Sequence, residues 1–256
     1  MNIIQTIILA AIEGITEFLP VSSTGHMILA SSLMNIHDNA FVKSFEIAIQ
    51  IGAIGAIIML YYKRFLKGIK IYIKLGIAFI PTAVIGFLAY KTIKMHLFNP
   101  LIVSTALIVG GVILILVDKR VVNSKTQYME LEDISYKHAI LIGLAQCVSM
   151  IPGVSRAAAT IIGGVFNGLN KKQATEFSFL LAVPTMCAAT GYDMIKTDAA
   201  FSSYEQTLLV IGFAVAFIFA YLAVKIFLKI VENYGFKYFG YYRILIGLVF
   251  IIYAVR

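Results

Sequence analysis

The sequence predicts an all-α membrane protein that crosses the bilayer about six times and carries two re-entrant helix–break–helix hairpins, arranged as an inverted repeat. Three observations predict this fold class. Of the 256 residues, 60% are hydrophobic and only 13% are charged. Apolar runs recur along the chain, and two further apolar regions are interrupted by proline and polar residues. Soluble domains contain about 25% charged residues, so a single water-soluble core cannot bury this much apolar surface.

The uninterrupted apolar runs predict the transmembrane helices. A helix rises about 1.5 Å per residue and the hydrocarbon core is about 30 Å thick, so a span needs about 20 residues. Six runs reach or approach this length: 41–62, 75–90, 99–117, 175–192, 206–224 and 240–255. We therefore expect one integral membrane domain covering residues 1–256.

The interrupted regions, 3–34 and 138–169, predict the two hairpins. The first break has the sequence LPVSSTG and the second has IPGVSR. Proline ends a helix, and the serines that follow can start another one a few residues later. Irregular backbone at membrane depth is tolerated only where protein or a water-filled cavity satisfies its polar groups. Each break is therefore expected to line a cavity.

The order of elements predicts an inverted repeat. Pro20 and Pro152 are separated by about half of the chain, and the same offset pairs Ser23 with Ser155. Each break is followed by three spans. Because three is odd, the second copy must enter the membrane from the opposite side, with repeats of approximately 1–117 and 138–256. Proteins with this architecture bind ligands where the broken helices meet.

The cations predict the orientation of the chain in the membrane. Fifteen of the 21 Lys and Arg residues, Arg243 among them, fall around 63–74, 118–137, 171–172 and 225–243, and five fall on the other side. Cytoplasmic loops carry an excess of Lys and Arg, which predicts that both termini lie outside. This distribution accounts for the net charge of +8 without a nucleic-acid partner.

Several ionisable side chains fall inside the interrupted regions. Glu13 and Glu17 are four residues apart and share one helix face. A charge at mid-membrane costs about 2.5–3.5 kcal/mol on insertion scales. We therefore expect both carboxylates to share a polar cavity with His26 and Arg156; the alternative is that they lie near an interface and reach water. Glu46 and Gln50 have the same spacing, either to line the cavity or to hydrogen-bond between helices.

The residues after each break predict an anion site. Serine and threonine hydroxyls cap the first N–H groups of a helix, and such N-termini also bind anions. Arg156 follows the second break, and its guanidinium fork matches phosphate oxygens; the alternative is a structural Arg–Glu pair between the hairpins. The predicted phosphate-binding residues are Ser22, Thr24, Gly153, Ser155, Arg156 and Thr160.

Two motifs carry a family resemblance over essentially the whole chain. The segment EGITEFLPVSSTGH (13–26) closely resembles the signature of the undecaprenyl-diphosphatase family, also called bacitracin-resistance proteins. The second break resembles the family's PGxSRSxxT motif, with Ala157 where the motif has its second serine. By position, the resemblance implies that the functional residues are Glu13, Glu17, Ser23, His26, Ser155, Arg156 and Thr160.

The same resemblance implies an activity and a location. Family members would hydrolyse undecaprenyl diphosphate to the monophosphate and phosphate, which recycles the lipid carrier of cell-wall (peptidoglycan) synthesis and confers bacitracin resistance. It also implies a location in the bacterial inner membrane, with the site open to the outer face. The expected partners are a polyprenyl diphosphate and the bilayer. The oligomeric state stays open, with a homodimer among the alternatives.

The residues leave parts of the mechanism open. The catalytic candidates are Glu13, Glu17, Ser23, His26 and Arg156. Arg156 would hold the terminal phosphate, while Ser23 or His26 attacks phosphorus or orders a water.

The charge balance of the site predicts a cation. Two carboxylates, one guanidinium and a diphosphate leave excess negative charge, so either a glutamate is protonated or Mg²⁺ or Ca²⁺ bridges carboxylate and diphosphate. We expect the cation, with Glu13 and Glu17 as candidate ligands.

A transporter is the competing function class. Inverted repeats, broken helices and mid-membrane carboxylates are equally typical of ion-coupled carriers, and a polyprenyl-phosphate flippase would need the same anion site. The Ser–His cluster and Arg156 favour hydrolysis, because a carrier does not require a nucleophile.

Overall fold

A computed structural model describes residues 1–96, 100–121, 131–197 and 201–254. The first hairpin and the helices that follow it are α1 (Ile3–Thr16), α2 (Ser23–Leu33), α3 (Ala40–Ala48), α4 (Gln50–Phe65), α5 (Ile69–His96) and α6 (Pro100–Val121). The second hairpin and its successors are α7 (Tyr136–Cys147), α8 (Arg156–Phe166), α9 (Lys171–Thr197), α10 (Ser203–Tyr234) and α11 (Lys237–Ala254).

The long helices match the predicted spans. Within the described residues, five stretches are long and apolar enough to cross a membrane: Ala40–Phe65, Ile69–Ala89, Leu101–Lys119, Lys171–Lys196 and Ser203–Tyr234. The sixth predicted run lies in α11, and its last residue is outside the described part of the chain. The prediction of an all-helical, multi-pass membrane protein is confirmed.

The hairpin helices are too short to span the bilayer. Helix α1 has 14 residues and α8 has 11, which correspond to about 21 Å and 17 Å at 1.5 Å per residue. Helix α1 ends at Thr16, and the turn through Pro20 separates it from α2. The prediction of interrupted hairpins is confirmed. That the second hairpin enters from the opposite leaflet stays a prediction.

Each hairpin packs against a long helix from the other half of the chain. Helix α1 lies along α10, and α7 lies along α5. Glycines allow these close approaches: a Cβ on Gly14 would lie 2.5 Å from the carbonyl oxygen of Ala216, and a Cβ on Gly143 would overlap Ala78. Small residues at helix crossings let backbones approach closely in membranes. The two breaks are thus held near each other by contacts that cross between the halves.

The predicted loop at 225–243 is wrong. Helix α10 continues to Tyr234 and α11 begins at Lys237, so the connection is only two residues long. Arg243 therefore lies inside α11, where it is 0% exposed, instead of in a cytoplasmic loop. A cation at the edge of an apolar run is normally solvated. Arg243 is instead bound by backbone carbonyl oxygens. Two other cations of the orientation argument, Lys125 and Arg256, lie outside the described residues.

Candidate active site

The two breaks enclose a small polar cavity at the N-termini of α2 and α8. Its volume is about 160 Å³. The residues that line it are Glu17, Ser22, Ser23, Thr24, Gln50, Ser149, Pro152, Gly153, Ser155, Arg156 and Met186. Most of the predicted site residues therefore lie together, whereas Glu13, His26 and Thr160 do not line the cavity.

The serine that starts each helix has an unusual backbone conformation. Ser22 has φ 72° and Ser155 has φ 75°, a region that costs a residue other than glycine about 1–3 kcal/mol. Ser22 accepts a hydrogen bond from Gly25 N at 3.4 Å, and Ser155 accepts one from Ala158 N at 3.2 Å. Both helices thus begin at the cavity, and their N-terminal N–H groups favour an anion there.

The structural equivalent of Ser155 is Ser22, so the predicted pairing of Ser155 with Ser23 is wrong by one residue. The second break has one more residue between its proline and its capping serine than the first break has. The offset between the two capping serines is therefore one position larger than the offset between the two prolines. An alignment on the prolines cannot detect this extra residue.

Glu17 connects the two hairpins. Its Oε1 accepts a hydrogen bond from Arg156 Nη2 at 3.0 Å, and its Oε2 accepts one from the Ser23 hydroxyl. Glu17 is 7% exposed and the Arg156 side chain is 11% exposed. A charge-assisted pair shielded from water is stronger than one in solvent. This arrangement can orient the Ser23 hydroxyl and accept its proton.

Arg156 is held from behind by α9. Its Nη1 donates to the carbonyl oxygen of Ser178 at 3.0 Å and to the Ser178 hydroxyl at 3.4 Å. Thr160 in turn donates to the Ser178 hydroxyl at 2.6 Å. Thr160 therefore supports Arg156 through Ser178 instead of facing the cavity. Sequence reasoning missed Ser178, because it lies on another helix and belongs to neither motif.

One N–H donor of Arg156 is unpaired among the described residues. Its Nε is buried and has no hydrogen-bond partner among the described residues. A buried unpaired N–H is costly, and a phosphate oxygen would satisfy it.

Glu13 is buried and does not line the cavity. It is 1% exposed and lies close enough to Glu17, Glu46 and Arg156 to interact with them electrostatically. One of its carboxylate oxygens has no partner among the described residues, and the same is true of Glu46. Of Glu46 and Gln50, which are four residues apart, only Gln50 lines the cavity. Of Glu13 and Glu17, which have the same spacing, only Glu17 does.

His26 faces away from the cavity, towards α11. Its Nδ1 lies 2.8 Å from the carbonyl oxygen of Ser22, and its Nε2 lies 2.7 Å from the hydroxyl of Tyr242. The two rings also stack, with centroids 5.5 Å apart. Sequence reasoning missed Tyr242, which is 216 residues from His26 and outside both motifs.

An apolar groove runs beside the first break. Its volume is about 660 Å³. It is lined by Ile15, Thr16, Leu19, Val21, Ile230, Tyr234, Tyr238, Phe239 and Tyr242. Val21 is followed directly by the cavity residue Ser22, and Leu19 lies two residues after the cavity residue Glu17, so residues of one break line both the groove and the cavity.

The cavity offers oxygen ligands to a cation, but few charged ones. Glu17 contributes a carboxylate, and the other lining oxygens are hydroxyls, an amide and backbone carbonyls. Across the described residues there is no group of three or more His, Cys, Asp and Glu that could hold a metal ion. Mg²⁺ is often bound by one or two carboxylates together with substrate phosphates. Both oxygens of Glu17 already bind Arg156 and Ser23, so a cation in this cavity would take most of its ligands from a bound phosphate.

Comparison with known proteins identifies the family. The family model described as Bacitracin resistance protein BacA matches residues 6–249. The chain belongs to this family. The resemblance inferred from the two motifs is confirmed. The matched range includes both breaks, the cavity and the α11 residues Tyr242 and Arg243.

Relatives in the BacA family match the chain along nearly its whole length. A protein of Bdellovibrio bacteriovorus named undecaprenyl-diphosphatase is 50% identical over 252 residues, which cover 98% of this chain and 96% of that protein. Proteins with the same name from Aquifex aeolicus and Methanococcus aeolicus are 49% and 47% identical. The alignment covers 96% of both chains for the first and 100% of both for the second.

Proposed function

We propose that the chain hydrolyses undecaprenyl diphosphate to undecaprenyl phosphate and inorganic phosphate. The observation that carries this proposal is the position of Glu17, which binds Arg156 with one oxygen and the Ser23 hydroxyl with the other. These three residues lie where the N-termini of α2 and α8 meet. The relatives' name supports the same substrate, and it favours hydrolysis over transport or lipid flipping.

The diphosphate head binds in the cavity and the prenyl tail lies in the groove. Arg156 and the N-termini of α2 and α8 hold the terminal phosphate, because they supply a guanidinium fork and backbone donors. Glu17 and Ser22 line the cavity, while Leu19 and Val21 line the groove. A lipid whose head and tail diverge at the first break therefore reaches both surfaces.

Ser23 is the nucleophile and Glu17 is its base. Glu17 takes the hydroxyl proton while Ser23 Oγ attacks the terminal phosphorus, and the bond from this phosphorus to the bridging oxygen breaks. Undecaprenyl phosphate leaves, and Glu17 returns the proton to it. A water that Glu17 deprotonates then attacks the phosphorus of the phosphoserine, and the bond from phosphorus to Ser23 Oγ breaks. Glu17 returns the proton to Oγ, which regenerates Ser23 and releases phosphate. His26 is a poorer candidate because both of its nitrogens already have partners.

A divalent cation, if bound in the cavity, would supply positive charge that neutralises the phosphate oxygens. Glu17 would hold it with Glu13 beside it, and the diphosphate would supply further oxygens. We expect a chelator to abolish phosphate release and added Mg²⁺ or Ca²⁺ to restore it. Full turnover by protein stripped of divalent ions would contradict this part of the proposal.

The protein acts in the bacterial inner membrane with both termini outside. Without Arg243, the cation count is fourteen against five, so the charge asymmetry still favours this orientation. Single cysteines placed at the two termini should react with an impermeant thiol reagent in intact cells. That the protein forms a homodimer stays a prediction, and cross-linking in membranes would test it.

Phosphate release from purified protein tests the function. With undecaprenyl diphosphate in detergent, we expect one phosphate per lipid and, after rapid acid quenching, a phosphorylated peptide that contains Ser23. Arg64→Lys is a suitable control, since Arg64 pairs with Glu132 and Glu176 and does not line the cavity. A wild-type protein without phosphate release would refute the proposed function. Release without phosphoserine would instead indicate direct attack by water.

A further inference from the structure

Arg243 binds the backbone of both breaks. Its Nη1 donates to the carbonyl oxygens of Pro20 at 2.9 Å and Val154 at 2.8 Å. Its Nη2 donates to Gly153 at 2.8 Å. Pro20 belongs to the first break, and Gly153 and Val154 belong to the second. One side chain on α11 thus connects the two segments that form the cavity.

The remaining donors of Arg243 bind α6. Its Nε donates to the carbonyl oxygen of Leu107 at 3.3 Å, and Nη2 also donates to Ala106 at 3.1 Å. Arginine has five N–H donors, and all five are satisfied by backbone carbonyls. Because the partners are carbonyls and the side chain is 0% exposed, desolvation is offset by a complete set of hydrogen bonds.

Gly110 on α6 makes room for the guanidinium. A Cβ at this position would overlap Arg243 Nη2. The separation of Gly110 and Arg243 along the chain is the same as the separation of the capping serines Ser22 and Ser155. At corresponding positions of the two halves, one residue therefore supplies the guanidinium and the other supplies the space for it.

We propose that Arg243 is a positioning residue for the reaction: its guanidinium sets the distance between the two breaks and thereby the geometry of Glu17, Arg156 and Ser23. The inference rests on the proposed function, since it concerns the same cavity. Glu17 comes from the first hairpin and Arg156 from the second, so their 3.0 Å contact depends on how the breaks are held. An error of about 1 Å at a reacting centre can cost 100-fold in rate.

Arg243→Lys separates the geometry of the side chain from its charge. Lysine keeps the positive charge, but its single ammonium group cannot reach carbonyls on three segments. We expect kcat per folded protein to fall about 10- to 100-fold, and KM to change less than about threefold because the phosphate-binding groups remain. Thermal unfolding and size-exclusion chromatography in detergent give the folded fraction. The control is Lys171→Met, which breaks the pair of Lys171 with Asp118 outside the cavity.

Gly110→Ala tests the same contact without removing a hydrogen-bonding group. The added methyl group should displace the guanidinium and lower kcat in the same way. Gly76→Ala is its matched control, because a Cβ on Gly76 meets nothing within 4 Å. This pair keeps the inference testable if substitutions of Arg243 do not fold.

Coupling to Glu17 distinguishes positioning from a general loss of stability. If Arg243 acts through the Glu17 arrangement, Arg243→Lys should cost less than threefold in a Glu17→Gln background, because the two effects overlap. Full kcat in folded Arg243→Lys or Gly110→Ala, or losses that multiply in the double variant, would overturn the inference. A wild-type protein without phosphate release would instead refute the proposed function.

Discussion

The break before α2 and the break before α8 have nearly the same backbone. Each ends in a serine with positive φ, Ser22 at 72° and Ser155 at 75°. Each serine caps a helix of 11 residues by binding the N–H three residues later. Local backbone geometry is therefore repeated in the two halves of the chain.

The side chains at corresponding positions differ in charge. Ser23 follows the first capping serine, and Arg156 follows the second. Glu13 and Gln146 are separated by the same number of residues as the two capping serines, and Gln146 Nε2 donates to Thr82 at 2.8 Å and Thr185 at 3.2 Å. The first hairpin thus carries carboxylates and the second carries a guanidinium and neutral groups. Each hairpin alone would bury an unpaired charge, and the site forms only where the two meet.

The two breaks should differ most in how much kcat falls when one serine hydroxyl is removed from each. Ser23→Ala deletes the proposed nucleophile and should lower kcat about 10³- to 10⁴-fold. Ser155→Ala removes a capping hydroxyl and should lower the free energy of unfolding by about 1 kcal/mol, with a much smaller loss of kcat. Phosphate release and thermal unfolding measured on both variants check this. Equal losses of kcat would contradict the assignment of Ser23.

The guanidinium of the second break should give the next largest effect. Arg156→Lys keeps the charge but loses the fork that binds Glu17 and Ser178 together, and we expect kcat/KM to fall about 10³-fold. Steady-state kinetics at saturating divalent cation check this, with Arg64→Lys as the control. A loss of less than tenfold would show that the positive charge alone suffices.

The carboxylates of the first hairpin should differ from each other. Glu17→Gln removes the proposed base and should lower kcat about 10²- to 10³-fold. Glu13→Gln, which does not change a cavity-lining group, should lower it by about tenfold. Single-turnover phosphate release separates these effects from binding. The reverse order would place the base at Glu13.

The smallest effects should come from the capping backbone itself. Glycine adopts positive φ without the strain that Ser22 and Ser155 bear, but it lacks the capping hydroxyl. In both Ser22→Gly and Ser155→Gly, the relief of backbone strain nearly offsets the loss of the capping hydrogen bond. The free energy of unfolding should therefore change by less than about 1 kcal/mol. Thermal unfolding in detergent measures this change. If the free energy of unfolding fell clearly more for one variant than for the other, the two breaks would share their backbone angles but not the energetic role of the capping serine.

The fold class was predictable because its signals are local. Apolar runs long enough to span, and proline followed by capping serines, are properties of short segments. They located the hairpins and brought Glu17, Ser22, Ser23, Ser155 and Arg156 to one expected site. The weakest prediction was the one that depended on solvent exposure, since Arg243 was assigned to a loop and is buried in α11.

Patterns along the chain are enough to establish that this protein is helical, lies in the membrane, is broken twice, and concentrates its polar residues at the breaks. Which of these residues share a cavity depends on how the helices pack. Packing turned His26 towards Tyr242, set Thr160 behind Ser178, and placed Arg243 between the breaks. These partners come from different helices that are far apart along the chain, and a buried polar group takes the partner that packing brings to it.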